Sequence, residues 1–267
     1  MAKYLLTTVC NDEYALGAQV MIYSISKNLK IFKECDVKVY YNDQISPLSD
    51  ENKTKLRSIG SNIILEHVDK EQYFDAKVPY HQGREAGSQS AYLTLESFQE
   101  YDYDKVIMFD VDMLCIKDFS ELFESSYQLG IFNRNTGFVV LGNDIRTPKV
   151  YDALISNIKH HNGDFMDQGI IGNVLSARFE HLPSVYNEYK PIWAFNEDTR
   201  ILHWAHFDYI KPWNIEKYNK YGLFEDLERR KETHPNPGNI PFLKDKPAYD
   251  IWNTYYLEMY KNNKNEQ

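Results

Sequence analysis

The chain has 267 residues, of which 43% are hydrophobic and 15% aromatic, which is enough apolar material for one large domain or two small ones. Its net charge of −9 argues against nucleic acid as a partner, because nucleic-acid binding usually requires a basic face. No stretch approaches about 18 consecutive apolar residues, and residues 1–30 lack a secretory pattern, so we expect neither a transmembrane helix nor export. The three cysteines have no metal-type spacing and predict buried thiols in a reducing, cytoplasmic compartment.

The first part of the chain alternates between predicted strands and helices. Strands are predicted at 3–9, 36–41 and 62–68, with helices at 14–29 and 49–59. This order predicts a parallel sheet with right-handed crossovers. No Gly-x-Gly-x-x-Gly motif follows the first strand, so the usual dinucleotide-binding fold is not indicated.

The later elements are predicted from the same periodicities. Residues 71–87 are irregular and are expected to form a mobile loop over a site. Helices are predicted at 88–101, 148–160, 164–175 and 249–260, and strands at 106–109, 128–133, 137–141 and 201–204. Residues 134–136 are expected to join the two strands on either side of them.

The most informative stretch runs from Val106 to Asp112. Four apolar residues, typical of a strand buried on both faces, lead directly into Asp110 and Asp112. Side chains two residues apart on a strand share one face, so the two carboxylates are expected to lie together at the strand end. Such a pair suits Mg²⁺ or Mn²⁺, although a solvated acidic turn explains an isolated Asp-x-Asp equally simply.

Three further positions have both an ordinary and a functional interpretation. Asp167, at a predicted helix N-terminus, is explained by helix capping or by ligand binding. For His203, at a predicted strand end, and for Lys211 the ordinary interpretations are a core histidine and a surface lysine, and their functional interpretations come only from the family resemblance described next.

Several short motifs follow one another along the chain. They are Thr7-Thr8-Val9, Asn11-Asp12-Glu13-Tyr14, Val106 to Asp112, Asn135-Thr136-Gly137, Asp167-Gln168-Gly169, Leu182-Pro183 with Tyr186-Asn187, and His203 with Lys211-Pro212-Trp213. In this combination the chain resembles glycosyltransferase family 8, the glycogenin and lipopolysaccharide galactosyltransferase family, which has a GT-A fold. The motifs cover residues 3–214, roughly four fifths of the chain.

The resemblance implies a retaining transfer of a hexose, glucose or galactose, from a UDP-sugar. It implies Mn²⁺, with Mg²⁺ as the alternative, held by Asp110, Asp112 and His203. Lys211 would contact the diphosphate, and Asp167 and Gln168 would act with it in catalysis. The implied donor-binding residues are Thr8, Val9, Asn11 and Tyr14 around the uridine, Asp110, Asp112, His203 and Lys211 around the diphosphate, and Asn135, Asp167 and Gln168 around the sugar. Val111, between the two carboxylates, is implied as a further donor contact. Gly137 and Gly169 are interpreted as sites of close packing.

The sequence departs from the family pattern at two places. The family usually has His-x-x-Gly-x-x-Lys-Pro-Trp, whereas here Lys211 follows His203 by eight residues and His206 becomes a rival metal ligand. The helix before the metal-binding strand commonly carries a basic residue, but the matching position here is Thr94. Arg84 is the candidate substitute for that basic residue.

We therefore expect an α/β fold with one GT-A (Rossmann-like) domain, residues 1–215, whose mostly parallel central sheet is flanked by helices. Residues 216–267 would form a small extension that provides the acceptor site or an oligomer contact, and a homodimer is allowed for. The acceptor would be a glycan, a lipid-linked chain or a protein. The alternatives are a degenerate UDP-sugar-binding protein without turnover, a sugar nucleotidyltransferase and a metal-dependent phosphohydrolase.

Overall fold

The computed structural model describes residues 3–78, 88–189, 197–205, 211–214 and 246–265. Arg84 and His206, both candidates for the site, lie outside these residues. Residues 216–245 of the expected C-terminal extension lie outside them as well.

The described elements alternate between strands and helices, as predicted. The strands are β1 (Tyr4–Val9), β2 (Cys35–Tyr41), β3 (Ile63–His67), β4 (Lys105–Phe109), β5 (Met113–Cys115), β6 (Leu129–Phe132), β7 (Asn135–Leu141), β8 (Glu180–His181), β9 (Glu188–Tyr189) and β10 (Ile201–His203). The α-helices are α1 (Ala15–Asn28), α2 (Asp50–Arg57), α3 (Pro148–Ile158), α4 (Met166–Leu175) and α5 (Lys246–Asn265), and a 3₁₀ helix spans Ser88–Gln99.

Seven of the described strands form one sheet in the order β3-β2-β1-β4-β7-β6-β8. The neighbours from β3 to β4 are parallel, as are β6 and β8, whereas β7 is antiparallel to both β4 and β6. The predicted mostly parallel sheet is confirmed. Because β2 and β4 lie on opposite sides of β1, the carboxyl ends of β1 and β4 border a topological switch point, where open α/β sheets bind ligands.

Strand β4 is buried on both faces, as its continuous apolar run predicts. Ile107 and Phe109 belong to the hydrophobic cluster that includes α1, and Val106 and Met108 to the cluster that includes α3 and α4. This alternation fixes the direction in which the chain leaves the core. It thereby positions Asp110, the first residue after the strand.

A second, smaller sheet has the order β5-β10-β9 and was not predicted as a sheet. Strand β10 lies within the strand predicted at 201–204, whereas β5 and β9, with three and two residues, are too short for a periodic pattern to show. Antiparallel pairing of β5 with β10 sets His203 opposite Met113. The N–H of Trp204 donates to the carbonyl oxygen of Asp112 at 2.9 Å, which extends this pairing by one step.

Three predicted boundaries were wrong. Asn135 and Thr136 lie in β7 rather than in a loop, because the hairpin turn consists only of Asn133 and Arg134, with φ of 47° and 60°. The helix expected from residue 164 begins at Met166, because the chain before it passes through positive φ at Gly163 and Phe165. The helix predicted at 88–101 is a 3₁₀ helix that ends at Gln99.

Helix α5 packs against α1 and the small sheet. Val20, Leu114, Leu202 and Trp252 share one buried cluster, in which Trp252 comes from α5. The three cysteines are buried free thiols that form no disulfide, as expected. Among the described helices, none combines the length and the apolar character needed to span a membrane.

Replacing Arg134 by Gly should stabilise the protein. Both residues of the two-residue β6–β7 turn have positive φ, the geometry of a type I′ turn, in which Gly avoids the steric cost that other residues bear. We expect the free energy of unfolding to rise by about 0.5–1 kcal/mol, measured by urea denaturation. Arg134→Ala removes the same side chain but keeps Cβ, and should give no gain; equal effects of the two variants would contradict the turn assignment.

Candidate functional site

Two carboxylates and one imidazole converge at the carboxyl end of β4. The backbone N–H of Asp110 donates to the carbonyl oxygen of Gly137 at 2.7 Å, which prolongs the pairing of β4 with β7. Nε2 of His203 lies 3.2 Å from Oδ1 of Asp112 and 3.7 Å from Oδ2 of Asp110. One ligand atom from each of the three side chains lies within 4.8 Å of the other two. The structure thus brings together the three residues predicted to bind a metal.

The chemistry of this set of atoms fits a divalent cation. Two carboxylates favour a hard ion such as Mg²⁺ or Mn²⁺, and the imidazole suits a transition-metal ion better than Mg²⁺. The side chain of Asp110 is 45% exposed, whereas that of His203 is only 2% exposed. An ion bound here would therefore have the buried His203 on one side and would keep coordination positions open toward solvent on the side of Asp110.

Lys211 lies on the other side of Asp112. Its Nζ donates to Oδ2 of Asp112 at 2.5 Å and to the carbonyl oxygen of Trp204 at 2.7 Å. Burial alone would raise the pKa of Asp112, but the positive charge of Lys211, the largest opposing effect, helps to hold the pKa well below its usual range. Asp112 is thus a carboxylate, and Lys211 is a cation held beside the candidate metal site despite the eight-residue spacing from His203.

The segment that carries Lys211 is packed against α1. A Cβ atom on Gly17 would lie 2.5 Å from Cζ3 of Trp213, so the indole fits there only because position 17 is glycine. The same ring meets Tyr14 edge to face, with ring centroids 5.9 Å apart. Lys211, the predicted diphosphate contact, and Tyr14, the predicted uracil contact, are therefore connected through Trp213.

The remaining residues predicted for the uridine lie at the end of β1 and the start of α1. Oγ1 of Thr8 is buried and has no hydrogen-bond partner among the described residues. Oδ1 of Asn11 accepts from the N–H of Tyr14 at 3.1 Å, so Asn11 also shapes the chain before α1. Val9 is half-buried at the strand end. The side chain of Val111 is buried in the core, so this residue can offer only its backbone to a ligand.

Asn135 and Gln168 lie in contact. Nδ2 of Asn135 donates to Oε1 of Gln168 at 3.3 Å, and the N–H of Thr136 donates to the same oxygen at 3.4 Å. Oδ1 of Asn135 accepts from the N–H of Gly137 at 2.9 Å. Residues from β7 and from the first turn of α4 thus form one polar surface, next to the strand end that carries Asp110.

Asp167 faces two threonines. Its Oδ2 lies 3.2 Å from Oγ1 of Thr94 and 3.3 Å from Oγ1 of Thr136. Burial and, secondarily, the charge of Asp110 raise the pKa of Asp167 to about 7. Thr94 occupies the place where the family commonly has a basic residue, so among the described residues a neutral hydroxyl, rather than a cation, faces this carboxyl group.

Three residues contribute to the site although the sequence pattern did not indicate their role. Asn187, which is fully buried, contacts both His203 and Asn135. Thr136 contacts Asp167 and Gln168, and the backbone oxygen of Trp204 holds Lys211. Asn and Thr are common in turns, and a backbone oxygen leaves no trace in the side-chain pattern, so only a three-dimensional arrangement could reveal these contacts.

Comparison with protein families decides the classification. Residues 5–136 match the model described as glycosyl transferase family 8. Residues 5–136 thus form a glycosyltransferase family 8 domain. The matched segment includes the predicted uridine residues, Asp110, Asp112 and Asn135, whereas Asp167, His203 and Lys211 follow it. A search of curated protein sequences gave no match.

Solved glycosyltransferase structures share the fold of this chain. The galactosyltransferase LgtC, in complex with donor and acceptor sugar analogues, is 17% identical, with a TM-score of 0.62 over 81% of this chain and 94% of LgtC. The bifunctional glycosyltransferase WbbM is 20% identical, with a TM-score of 0.63 over 97% of this chain and 51% of WbbM. GlyE of Streptococcus pneumoniae is 15% identical, with a TM-score of 0.60 over 98% of this chain and 64% of GlyE. At these identities the likeness establishes the GT-A fold, as predicted.

Replacing Gly137 by Ala should weaken binding of divalent cations. The added methyl group would overlap Cε1 of His203 and lie 2.8 Å from Oδ1 of Asn135 and 2.9 Å from Nδ1 of His203, so the imidazole ring must leave the position in which it faces the two carboxylates. We expect the Mn²⁺ affinity, measured by calorimetric titration, to fall by about 10–100-fold. Gly172→Ala is the matched control, because a Cβ there meets nothing within 4 Å. Equal Mn²⁺ affinities for the two variants would show that His203 is not a ligand.

The raised pKa of Asp167 should make the stability of the metal-free protein depend on pH. Between the ordinary carboxyl pKa of 3.8 and about 7, the native state keeps a proton that the unfolded state has lost. The free energy of unfolding should therefore fall as pH rises through this window, by at most about 1.4 kcal/mol per pH unit from this group. Urea denaturation of the wild type and Asp167→Asn measures the difference. Parallel pH profiles for the two proteins would contradict the raised pKa.

Proposed function

We propose that this protein is a retaining hexosyltransferase of family 8, which transfers glucose or galactose from a UDP-sugar to an acceptor hydroxyl with the help of Mn²⁺. The observation that carries the proposal is the convergence of Asp110, Asp112, His203 and Lys211 at the switch point of the sheet. A donor with a diphosphate matches this arrangement, because it needs positive charge that an acidic chain must supply locally.

Each end of the donor has a matching part of the site. Asp110, Asp112 and His203 would hold the cation, which when bound would neutralise charge on the diphosphate. Lys211 would donate to a phosphate oxygen and stabilise the departing UDP. The uridine would lie along Thr8, Val9, the backbone of Val111, Asn11 and Tyr14, with the Tyr14 ring against the uracil.

The sugar would lie against the surface formed by Asn135, Asp167 and Gln168. The amide of Gln168 and the carboxyl of Asp167 are then closest to the anomeric carbon, where positive charge develops as the glycosidic bond loosens. An ionised Asp167 would stabilise that charge, and Thr94 and Thr136 would orient its carboxyl group. An acceptor hydroxyl that approaches from the face the UDP leaves would produce retention.

The acceptor side of the proposal rests on the C-terminal part of the chain. We propose that residues 216–267 form an extension of the 1–215 domain and contribute to an acceptor site for a glycan, a lipid-linked chain or a protein. Helix α5, from this part, packs on α1, the helix that follows the proposed uridine site.

The deciding experiment is to measure UDP release and binding across a panel of UDP-sugars, with and without Mn²⁺. We expect one UDP-hexose to be hydrolysed slowly in the presence of Mn²⁺ and not after chelation. Asp112→Ala should lower the rate by roughly 10³-fold or more, because it removes both a cation ligand and the partner of Lys211. Asp152→Ala, which changes an exposed carboxylate on α3, should leave the rate unchanged.

Each of the other possible outcomes would indicate a different function or contradict the metal assignment. Tight Mn²⁺-dependent UDP binding without turnover of any donor, even with candidate acceptors, would indicate a UDP-sugar-binding protein, which Thr94 in place of a basic residue would help to explain. Formation of a UDP-sugar from UTP and a sugar phosphate would indicate a nucleotidyltransferase. Phosphate release from simple esters, without a requirement for uridine, would indicate a phosphohydrolase. Near-normal activity of Asp112→Ala would contradict the metal assignment.

A further inference from the structure

Asn187 is a buried residue that connects two parts of the site. Its side chain has no exposed surface and lies between His203 and Asn135. Oδ1 of Asn187 is 2.7 Å from Nδ1 of His203, and Nδ2 of Asn187 donates to Oδ1 of Asn135 at 3.0 Å. The proposed donor contacts do not involve Asn187, so its role must come from these two neighbours.

The direction of hydrogen bonding at Asn135 is determined by the backbone. The N–H of Gly137 can only donate, so the atom it meets at 2.9 Å must be the carbonyl oxygen of the Asn135 amide. The N–H of Thr136 likewise requires that Oε1 of Gln168 be an acceptor, and this oxygen also faces Nδ2 of Asn135. Two backbone donors therefore give the same orientation of the Asn135 amide independently.

That orientation determines the next link. Oδ1 of Asn135 is an acceptor, so the Asn187 atom that meets it must be the NH₂ group. The other end of the Asn187 amide, which faces Nδ1 of His203, is then the carbonyl oxygen. An oxygen can only accept here, so Nδ1 of His203 must carry a hydrogen and donate it.

The consequence appears on the opposite side of the ring. A neutral imidazole with its hydrogen on Nδ1 has a lone pair on Nε2, and that atom faces the carboxylates of Asp112 and Asp110. Three atoms with lone pairs thus point at one another, an arrangement that a shared cation stabilises. The other tautomer would instead donate from Nε2 to a carboxylate and would remove the ring from the set of metal ligands.

We propose that Asn187 is a positioning residue, which keeps the hydrogen of neutral His203 on Nδ1 and thereby makes Nε2 a ligand for the divalent cation. The inference of metal binding rests on the proposed function, whereas the inference about the tautomer rests on the hydrogen bonds alone. Partners of metal-binding histidines commonly contribute about 10–100-fold to metal affinity.

Three variants separate positioning from simple packing. Asn187→Leu keeps a similar volume but removes the acceptor. Asn187→Asp keeps an acceptor for the N–H of His203 but cannot donate to Asn135 unless it is protonated. Asn42→Leu is the matched control, since Asn42 is a similarly buried asparagine whose amide, within the part of the chain that the structure describes, bonds to backbone groups of Val68, Gln44 and Ile45.

The first measurement needs neither metal nor donor. Nitrogen chemical shifts of ¹⁵N-histidine-labelled, metal-free protein at alkaline pH report the tautomer of each neutral ring, and His203→Gln identifies the signals of His203. We expect the Nδ1–H tautomer in the wild type, in Asn187→Asp and in Asn42→Leu, and a shift toward Nε2–H in Asn187→Leu. An Nε2–H tautomer in the wild type, or no shift in Asn187→Leu, would overturn the proposal.

The second measurement is Mn²⁺ affinity by calorimetric titration of the same proteins. Asn187→Leu should bind about 10–100-fold more weakly than the wild type, and Asn187→Asp should recover most of that loss. Asn42→Leu should bind normally even if its unfolding temperature falls. Equal weakening in all three variants would mean that buried asparagines act only through stability. If the wild type shows the Nδ1–H tautomer but binds no Mn²⁺, the positional role of Asn187 stands and the proposed metal-dependent function fails.

Discussion

Repulsion between three carboxylates is the constraint on which this site depends. Asp110, Asp112 and Asp167 gather near one end of the sheet in a chain whose net charge is already −9. The negative charge of each carboxyl group is compensated in a different way. Asp112 is neutralised by Lys211, Asp110 remains partly in solvent, and Asp167 keeps a proton up to a pH of about 7. The two carboxylates nearest to His203 are thereby placed so that they could share one cation.

Main-chain hydrogen bonds, rather than long side chains, place most of the polar atoms. Gly137 accepts from the N–H of Asp110 and donates to Oδ1 of Asn135, so a single peptide segment of β7 links the candidate metal site to the polar surface beside it. The carbonyl oxygen of Asp112 accepts from Trp204 and holds β10 alongside. Such contacts lose little conformational entropy when a ligand binds, because the backbone of a packed sheet is already ordered.

The sequence was informative where a pattern extends over several residues. The apolar run before Asp110 predicted a strand buried on both faces, and the spacing of Asp110 and Asp112 predicted that the two carboxylates would lie together at the strand end. Strand β10 was predicted, but its partners β5 and β9 have too few residues for a pattern, so the contact of His203 with the carboxylates came from the family motif and not from periodicity. The role of Asn187 could not be predicted, because it depends on three residues that are distant in sequence and meet only in the folded chain.

The pairing of Lys211 with Asp112 suggests why cation and diphosphate should bind together. Nζ of Lys211 lies 2.5 Å from the carboxylate of Asp112, and Trp213 of the same segment packs on α1 at Gly17. A cation shared by the same carboxylate would cancel the attraction that holds the ammonium group and would repel it. With Trp213 packed at Gly17, the two positive charges would be close neighbours. An anion placed between them relieves that repulsion, and each ligand therefore favours the binding of the other.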